Sequence, residues 1–275
     1  MNASTAVSSA EPLVGPARVP GWRAPLRLSG LGLWTAFCLP FYMVGTAVLV
    51  FAPETRRRWR RWSVRTWSTG SARLVGLRVV AHGEVPAPPF LLVSNHLGYL
   101  DVVLLGSQTS GRFIAKKEVS KWPIWGLLAR VAGTIFVDRE DGRDVVRVAQ
   151  LIEQAWDEGD GVLLFPEGTS TPGDRVLPFK PALLEAAARR SWPVRYASLS
   201  YQVPAGEAPA SHSVCWWGDM TLGPHLIGLC RLSQCTGSIA FGAEPVQATD
   251  RKELARRLHQ NVVRIFTPVL SQDYP

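Results

Sequence analysis

The sequence predicts an α/β protein: a mixed, largely parallel sheet flanked by helices, behind an N-terminal membrane-associated helical segment. Three features point there. From Leu77 onward, short apolar runs alternate with helical stretches, the texture of strands and helices taken in turn. Ahead of them, Leu28 to Ala52 runs for 25 residues without a charge. Between the two lies the run Arg56-Arg57-Arg58-Trp59-Arg60-Arg61-Trp62, continuing to Arg65 and Trp67. With 47% apolar residues in 275, there is ample side chain to bury, which excludes a disordered or acidic solvating protein.

Residues 1–27 are rich in Ala, Ser, Pro and Gly without periodicity and read as a disordered lead-in. The apolar stretch is twice the length of a signal-peptide core and has no clean small-residue cleavage site after it. It is long enough to span a bilayer. Pro40 and Gly45, however, predict two short helices near 28–39 and 41–52, each about 18 Å long and too short to cross. Arg18, Arg23 and Arg27 precede the stretch and the Arg56 cluster follows it, so a re-entrant hairpin with both ends in the cytoplasm suits the charges better than a single span. On a helix, Trp59, Trp62 and Thr66 share one face, while Arg57, Arg58, Arg61 and Arg65 point away. Indoles at headgroup depth and guanidinium groups toward anionic phosphates describe an interfacial helix on an anionic membrane surface. Adjacency to the apolar stretch argues against nucleic acid as the partner. The segment 28–73 is therefore expected to be a membrane-embedded hairpin or span plus an interfacial helix, with a separate α/β domain over 74–275.

Within that domain, strands are expected at Leu77–Ala81, Phe90–Ser94, Arg112–Ala115, Thr134–Val137, Gly161–Phe165, Val194–Val203 and Ser238–Gly242. Helices are expected at Asp101–Gly106, Trp122–Val131, Asp144–Trp156, Pro178–Arg190 and Asp250–Phe266. Cys38, Cys215, Cys230 and Cys235 are too few and scattered for a disulfide scaffold, which fits a reducing compartment.

Strand ends are where an α/β sheet places its chemistry. After Phe90–Ser94 comes Asn95-His96-Leu97-Gly98-Tyr99-Leu100-Asp101. If the turn starts a helix, Asp101 sits behind the His96 imidazole, orients it and leaves its other nitrogen as a base. His82, His212, His225 and His259 lack an Asp at that spacing and read as structural or surface residues. No Gly-x-Ser-x-Gly elbow and no Gly-x4-Gly-Lys loop is present. His225, Cys230 and Cys235, spaced by five, do not share a helix face, so neither a metal nor another cofactor is expected.

Two further blocks accompany His96: Gly133-Thr134-Ile135-Phe136-Val137-Asp138-Arg139, and Phe165-Pro166-Glu167-Gly168-Thr169-Ser170. In this order, behind an interfacial helix, the three blocks resemble the glycerolipid acyltransferase family over roughly Leu77 to Val203. The bacterial 1-acylglycerol-3-phosphate acyltransferases and the lyso-ornithine lipid acyltransferases are the similar branches. The resemblance implies that His96 is the general base, oriented by Asp101, for attack of a lysolipid hydroxyl on an acyl thioester, with acyl-CoA or acyl carrier protein as donor. It makes Glu167, Gly168 and Thr169 the acceptor-binding block, with Glu167 fixing the turn or a polar group of the acceptor. Arg139 takes the position that holds acceptor phosphate. It also implies phospholipid biosynthesis at the inner (cytoplasmic) membrane, catalytic domain on the cytoplasmic side. Phosphate-acceptor members often carry Arg where Ser170 stands, and losing that charge-assisted contact forfeits about 1.5–3 kcal/mol. Lys180 or Arg175 is the expected replacement. The expected acceptor is 1-acylglycerol-3-phosphate, giving phosphatidic acid, with a lyso-ornithine lipid as the alternative. An acyl-thioester hydrolase and a non-catalytic membrane scaffold are the remoter rivals.

Overall fold

The computed structural model describes residues 21–138 and 141–269. Two long helices, α1 (Arg23–Val48) and α2 (Pro53–Val75), form an antiparallel hairpin that packs on the sheet domain. There follow β1 (Leu77–His82), β2 (Phe90–Ser94), α3 (Leu100–Gln108), β3 (Gly111–Lys116), α4 (Trp125–Val131), β4 (Ile135–Val137), α5 (Gly142–Asp157) and β5 (Gly161–Leu164). The chain continues through α6 (Glu185–Arg189), β6 (Arg195–Gln202), α7 (Ala210–Ser213), α8 (Leu222–Arg231), β7 (Cys235–Phe241) and α9 (Arg251–Ile265). The sheet order is β1-β7-β6-β2-β5-β3-β4, and every pairing is parallel except β6 with β7.

β2 and β5 are buried at every position, as expected for central strands covered on both faces. Side chains alternate between two cores. Phe90 and Leu92 join Leu104 and Leu199 beneath the hairpin and α3. Leu91 and Val93 join Val148, Ile152 and Leu258 beneath α5 and α9.

The N-terminal segment departs from expectation in three ways. Residues 23–27, assigned to the lead-in, are helical, while 1–20 lie outside the described residues. Pro40 does not break the chain into two short helices: it sits inside α1, and the hairpin turns at residues 49–52. The reason is interhelical packing that brackets Pro40. Trp34 Nε1 donates to the Trp67 carbonyl, Trp67 Nε1 to Thr35 Oγ1, and Trp59 Nε1 to the Tyr42 carbonyl. One removed helical bond is outweighed by such contacts. Third, Arg61 does not face lipid: it donates to Asp160 and to the Gly159 carbonyl, while Trp59 and Trp62 pack on Phe41 and Tyr42 of α1.

Elsewhere the expected helix Pro178–Arg190 shrinks to a single 3-10 turn, Ala182–Leu184, and the short α6. α7 and α8 were not expected; α8 is a short apolar helix without a side-chain cap, which leaves little periodic signal to read.

Candidate active site

β2, β5, β3 and β4 run parallel, so their carboxyl ends share one edge of the sheet. His96 lies just beyond β2, and the chain turns into α3 with Asp101 in its first turn. The Asp101 carboxylate is 0% exposed and accepts four hydrogen bonds. Oδ2 takes His96 Nδ1–H at 2.7 Å, the Leu97 amide at 2.6 Å and the Gly98 amide at 3.0 Å. Oδ1 takes the Tyr201 hydroxyl at 2.8 Å, from β6. With Nδ1 carrying the proton, Nε2 of His96 is the free base.

The imidazole is fixed on its face as well, stacked on Phe165 with ring centroids 4.2 Å apart. Its backbone is held from both sides. The His96 amide donates to Glu167 Oε1 at 2.7 Å, and the Thr171 amide donates to the His96 carbonyl at 3.0 Å. Asn95 pairs through its amide with both backbone groups of Leu199, locking β2 to β6 just before the turn that carries His96. Gly98 has φ +152°, and a Cβ there would lie 2.8 Å from the Trp216 amide nitrogen, so this turn requires glycine.

Of the two roles expected of Glu167, its bonds are those of a residue that fixes the turn. It is 2% exposed, and both carboxylate oxygens accept from backbone amides, Oε1 from His96 and Oε2 from Leu177 at 2.9 Å. Desolvation pushes its pKa up to about 7, against the lowering effect of those two amides. Gly168 adopts φ +78° at the turn after β5, and Thr169 is exposed on the same edge. The Lys180 amide donates to the Pro166 carbonyl, which places Lys180 beside that turn with its side chain exposed. Arg175 is exposed next to Asp174. Arg139 lies outside the described residues; Asp138, before it, ends the β4 block.

Two features escaped sequence reading. Lys116 ends β3 and Lys117 follows it; β3 is next in the sheet to β5, so both stand one strand nearer His96 than the Arg139 block does. Only the strand order reveals this. The other is an apolar cavity of about 190 Å³ between the hairpin, α3, α4 and α8. Trp67, Val103, Trp122, Leu128 and Leu226 are in its wall, and it reaches the catalytic turn at Tyr99 and Leu100. Tyr99 in turn donates to His225 Nδ1 at 2.9 Å, and His225 Nε2–H donates to the Cys215 carbonyl, which ties α8 to the catalytic turn.

A carboxylate-backed imidazole at the carboxyl edge of a mixed sheet, beside an apolar cavity, is an arrangement suited to base chemistry on an apolar substrate. Residues 76–196 match the acyltransferase family. The chain is 34% identical over 221 residues to the lyso-ornithine lipid O-acyltransferase of Rhizobium meliloti, covering 76% of each chain. It is 27% identical over 199 residues to the 1-acyl-sn-glycerol-3-phosphate acyltransferase of Neisseria gonorrhoeae, covering 70% of this chain and 77% of that one. The crystal structure of the Thermotoga maritima 1-acyl-sn-glycerophosphate acyltransferase PlsC shares the fold, with TM-score 0.59, 20% identity, and coverage of 88% of this chain and 97% of that one. The protein belongs to the acyltransferase family and is an O-acyltransferase. α1 is also long and apolar enough to cross a membrane, and one of its faces is uncovered, so the molecule is built for membrane association.

Proposed function

We propose that this enzyme moves a fatty acyl group from an acyl thioester, carried by coenzyme A or acyl carrier protein, to the free hydroxyl of a lysolipid. The His96–Asp101 pair, abutting an apolar cavity, carries the reading. Nε2 of His96 takes the hydroxyl proton as that oxygen attacks the thioester carbonyl. The tetrahedral intermediate collapses with loss of the thiolate, which regains the proton from the imidazolium. Asp101 holds the ring tautomer and balances the transient positive charge. The acyl chain lies in the apolar cavity, and Gly168, Thr169 and Lys180 border the acceptor.

The favoured acceptor is a lyso-ornithine lipid, because identity is higher to the Rhizobium meliloti relative so named, 34% against 27% for the Neisseria gonorrhoeae one, and Ser170 lacks the charge a phosphate would use. The exposed cations Lys116 and Lys180 at the strand ends favour 1-acylglycerol-3-phosphate as the second reading. The domain faces the cytoplasm of the inner membrane, in keeping with four buried, unpaired cysteines. α1 lies in one leaflet and does not cross, since it is packed on its own domain from Ala24 to Tyr42. Membranes holding the enzyme, given a labelled acyl thioester and a panel of lysolipids, test all of this. The expected product is acylated ornithine lipid, absent with His96→Ala. Thioester turnover without any lysolipid defeats the transferase reading. If phosphatidic acid is formed instead, the second acceptor is right, and Ser170→Arg is expected to speed it.

A further inference from the structure

Resting on the membrane reading above, we propose that the turn Trp122–Trp125, at the head of α4, is a second lipid-inserting element that seats the mouth of the apolar cavity in the bilayer interface. Ile124 is the first observation. It has φ +61°, a conformation that β-branched residues rarely adopt, and it is 62% exposed. The strain is held in place by its surroundings. The Trp125 amide donates to the Pro123 carbonyl at 2.6 Å and the Gly126 amide to the Trp122 carbonyl at 2.9 Å. Gly126 packs so closely that a Cβ would sit 2.4 Å from the Ser120 carbonyl oxygen. A rigid turn thus holds an aliphatic side chain out where no part of the described fold covers it.

The surroundings specify the occupant. Trp122 and Trp125 flank the tip, half-buried, with Trp125 edge-on to Trp67 of α2. Leu127 is exposed in the next turn. Lys121, next to Trp122, and Arg130, in the last turn of α4, are exposed cations on either side of the tip in sequence, while Lys117 is paired with Asp138. An apolar tip, two indoles and two flanking cations is the composition of a segment resting in an anionic lipid interface. α4 also packs against α1, the helix whose uncovered face carries Leu33, Phe37 and Phe41. Trp122 and Trp125 line the apolar cavity. Inserting this turn therefore lets a chain pass from bilayer to cavity without exposing its methylenes to water.

The test uses the full-length protein and vesicles of phosphatidylcholine with phosphatidylglycerol. All four native cysteines are buried, so an environment-sensitive fluorophore can be attached selectively to Ile124→Cys, to Phe37→Cys on α1, and to Val146→Cys on α5 at the opposite sheet face. Probes at 124 and 37 are expected to shift to the blue on vesicles and to be quenched by nitroxide-bearing lipids, while the probe at 146 stays in water. Ile124→Gly, which suits the backbone, is expected to fold normally yet bind vesicles about three- to tenfold more weakly. Insertion at 37 with water at 124 overturns the proposal and leaves the membrane reading intact. Water at both positions overturns the two together. Shielding of 124 only when acyl carrier protein is added also overturns it, in favour of a protein dock.

Discussion

Asp101 exposes no surface and receives four donors from two parts of the chain, the turn 96–98 and Tyr201 of β6, which makes it the best-determined side chain of the site. Asp101→Asn places an amide N–H against donors that need an acceptor and releases the imidazole. The expected loss in kcat is about 10²–10⁴-fold with little change in KM, measured with a fixed lysolipid. Tyr201→Phe removes one of the four donors and is expected to cost less than Asp101→Asn in the same assay. Glu167 gives a prediction with a sign. Its folded pKa, about 7, lies above the ordinary 4.5, so between these values the native state binds more protons than the unfolded chain. Stability attributable to this carboxyl is therefore fully present below about pH 4.5 and is lost as pH rises through about 7. Urea midpoints of wild type minus Glu167→Gln are expected to fall across that interval and level off above it; a flat difference contradicts the assignment. Sequence spacing disclosed His96 and Asp101 because a helix start brings residues five apart together. It did not disclose that Glu167 serves the His96 backbone, since that contact spans 71 residues.

The elements are joined by a buried charge cluster that no local pattern announces. Asp160, 0% exposed at the amino end of β5, accepts from Arg60 and Arg61 of α2 and from Arg112 of β3. Burial brings the Arg60 guanidinium down to about 10, against the opposing pull of Asp160. Removing the one acid leaves three neighbouring cations, so Asp160→Ala is expected to destabilise by about 3–5 kcal/mol in equilibrium unfolding. The same geometry bears on the hairpin. Sequence composition marks it as an attachment, separable from the domain. Yet Leu31, Ala72 and Val75 lie in the core shared with β2 and α3, and Arg27 caps the end of α8 through the Leu232 and Ser233 carbonyls. Deleting residues 1–69 is expected to abolish cooperative melting by circular dichroism; a truncated protein that still melts sharply would refute this. The sheet's strands were legible because two covered faces demand uninterrupted apolar runs. The hairpin's true turn was not, because Pro40 is tolerated through tertiary contacts made by Trp34, Trp59 and Trp67.

At the scale of the whole molecule, the His96–Asp101 pair, the cavity and the uncovered apolar face are one arrangement. The parallel strand ends carry the pair, α1, α2, α4 and α8 wall the cavity, and those helices also carry much of the exposed aliphatic surface. High salt alone is expected to leave the enzyme on membranes while detergent releases it, because apolar insertion is not screened as surface charge is. The Arg27 cap has a consequence for how the protein is made. Its acceptor on Leu232 is 205 residues further along the chain, and β1 likewise pairs with β7, the last strand. At ~5–20 residues per second, a ribosome takes roughly 10–40 s to deliver that partner. Throughout that interval the nascent apolar hairpin lacks α8, part of the protein surface it docks on. The bilayer is the one apolar phase within reach, so translation near a membrane would supply a chaperone's service, holding α1 and α2 until the rest of the sheet arrives to receive them.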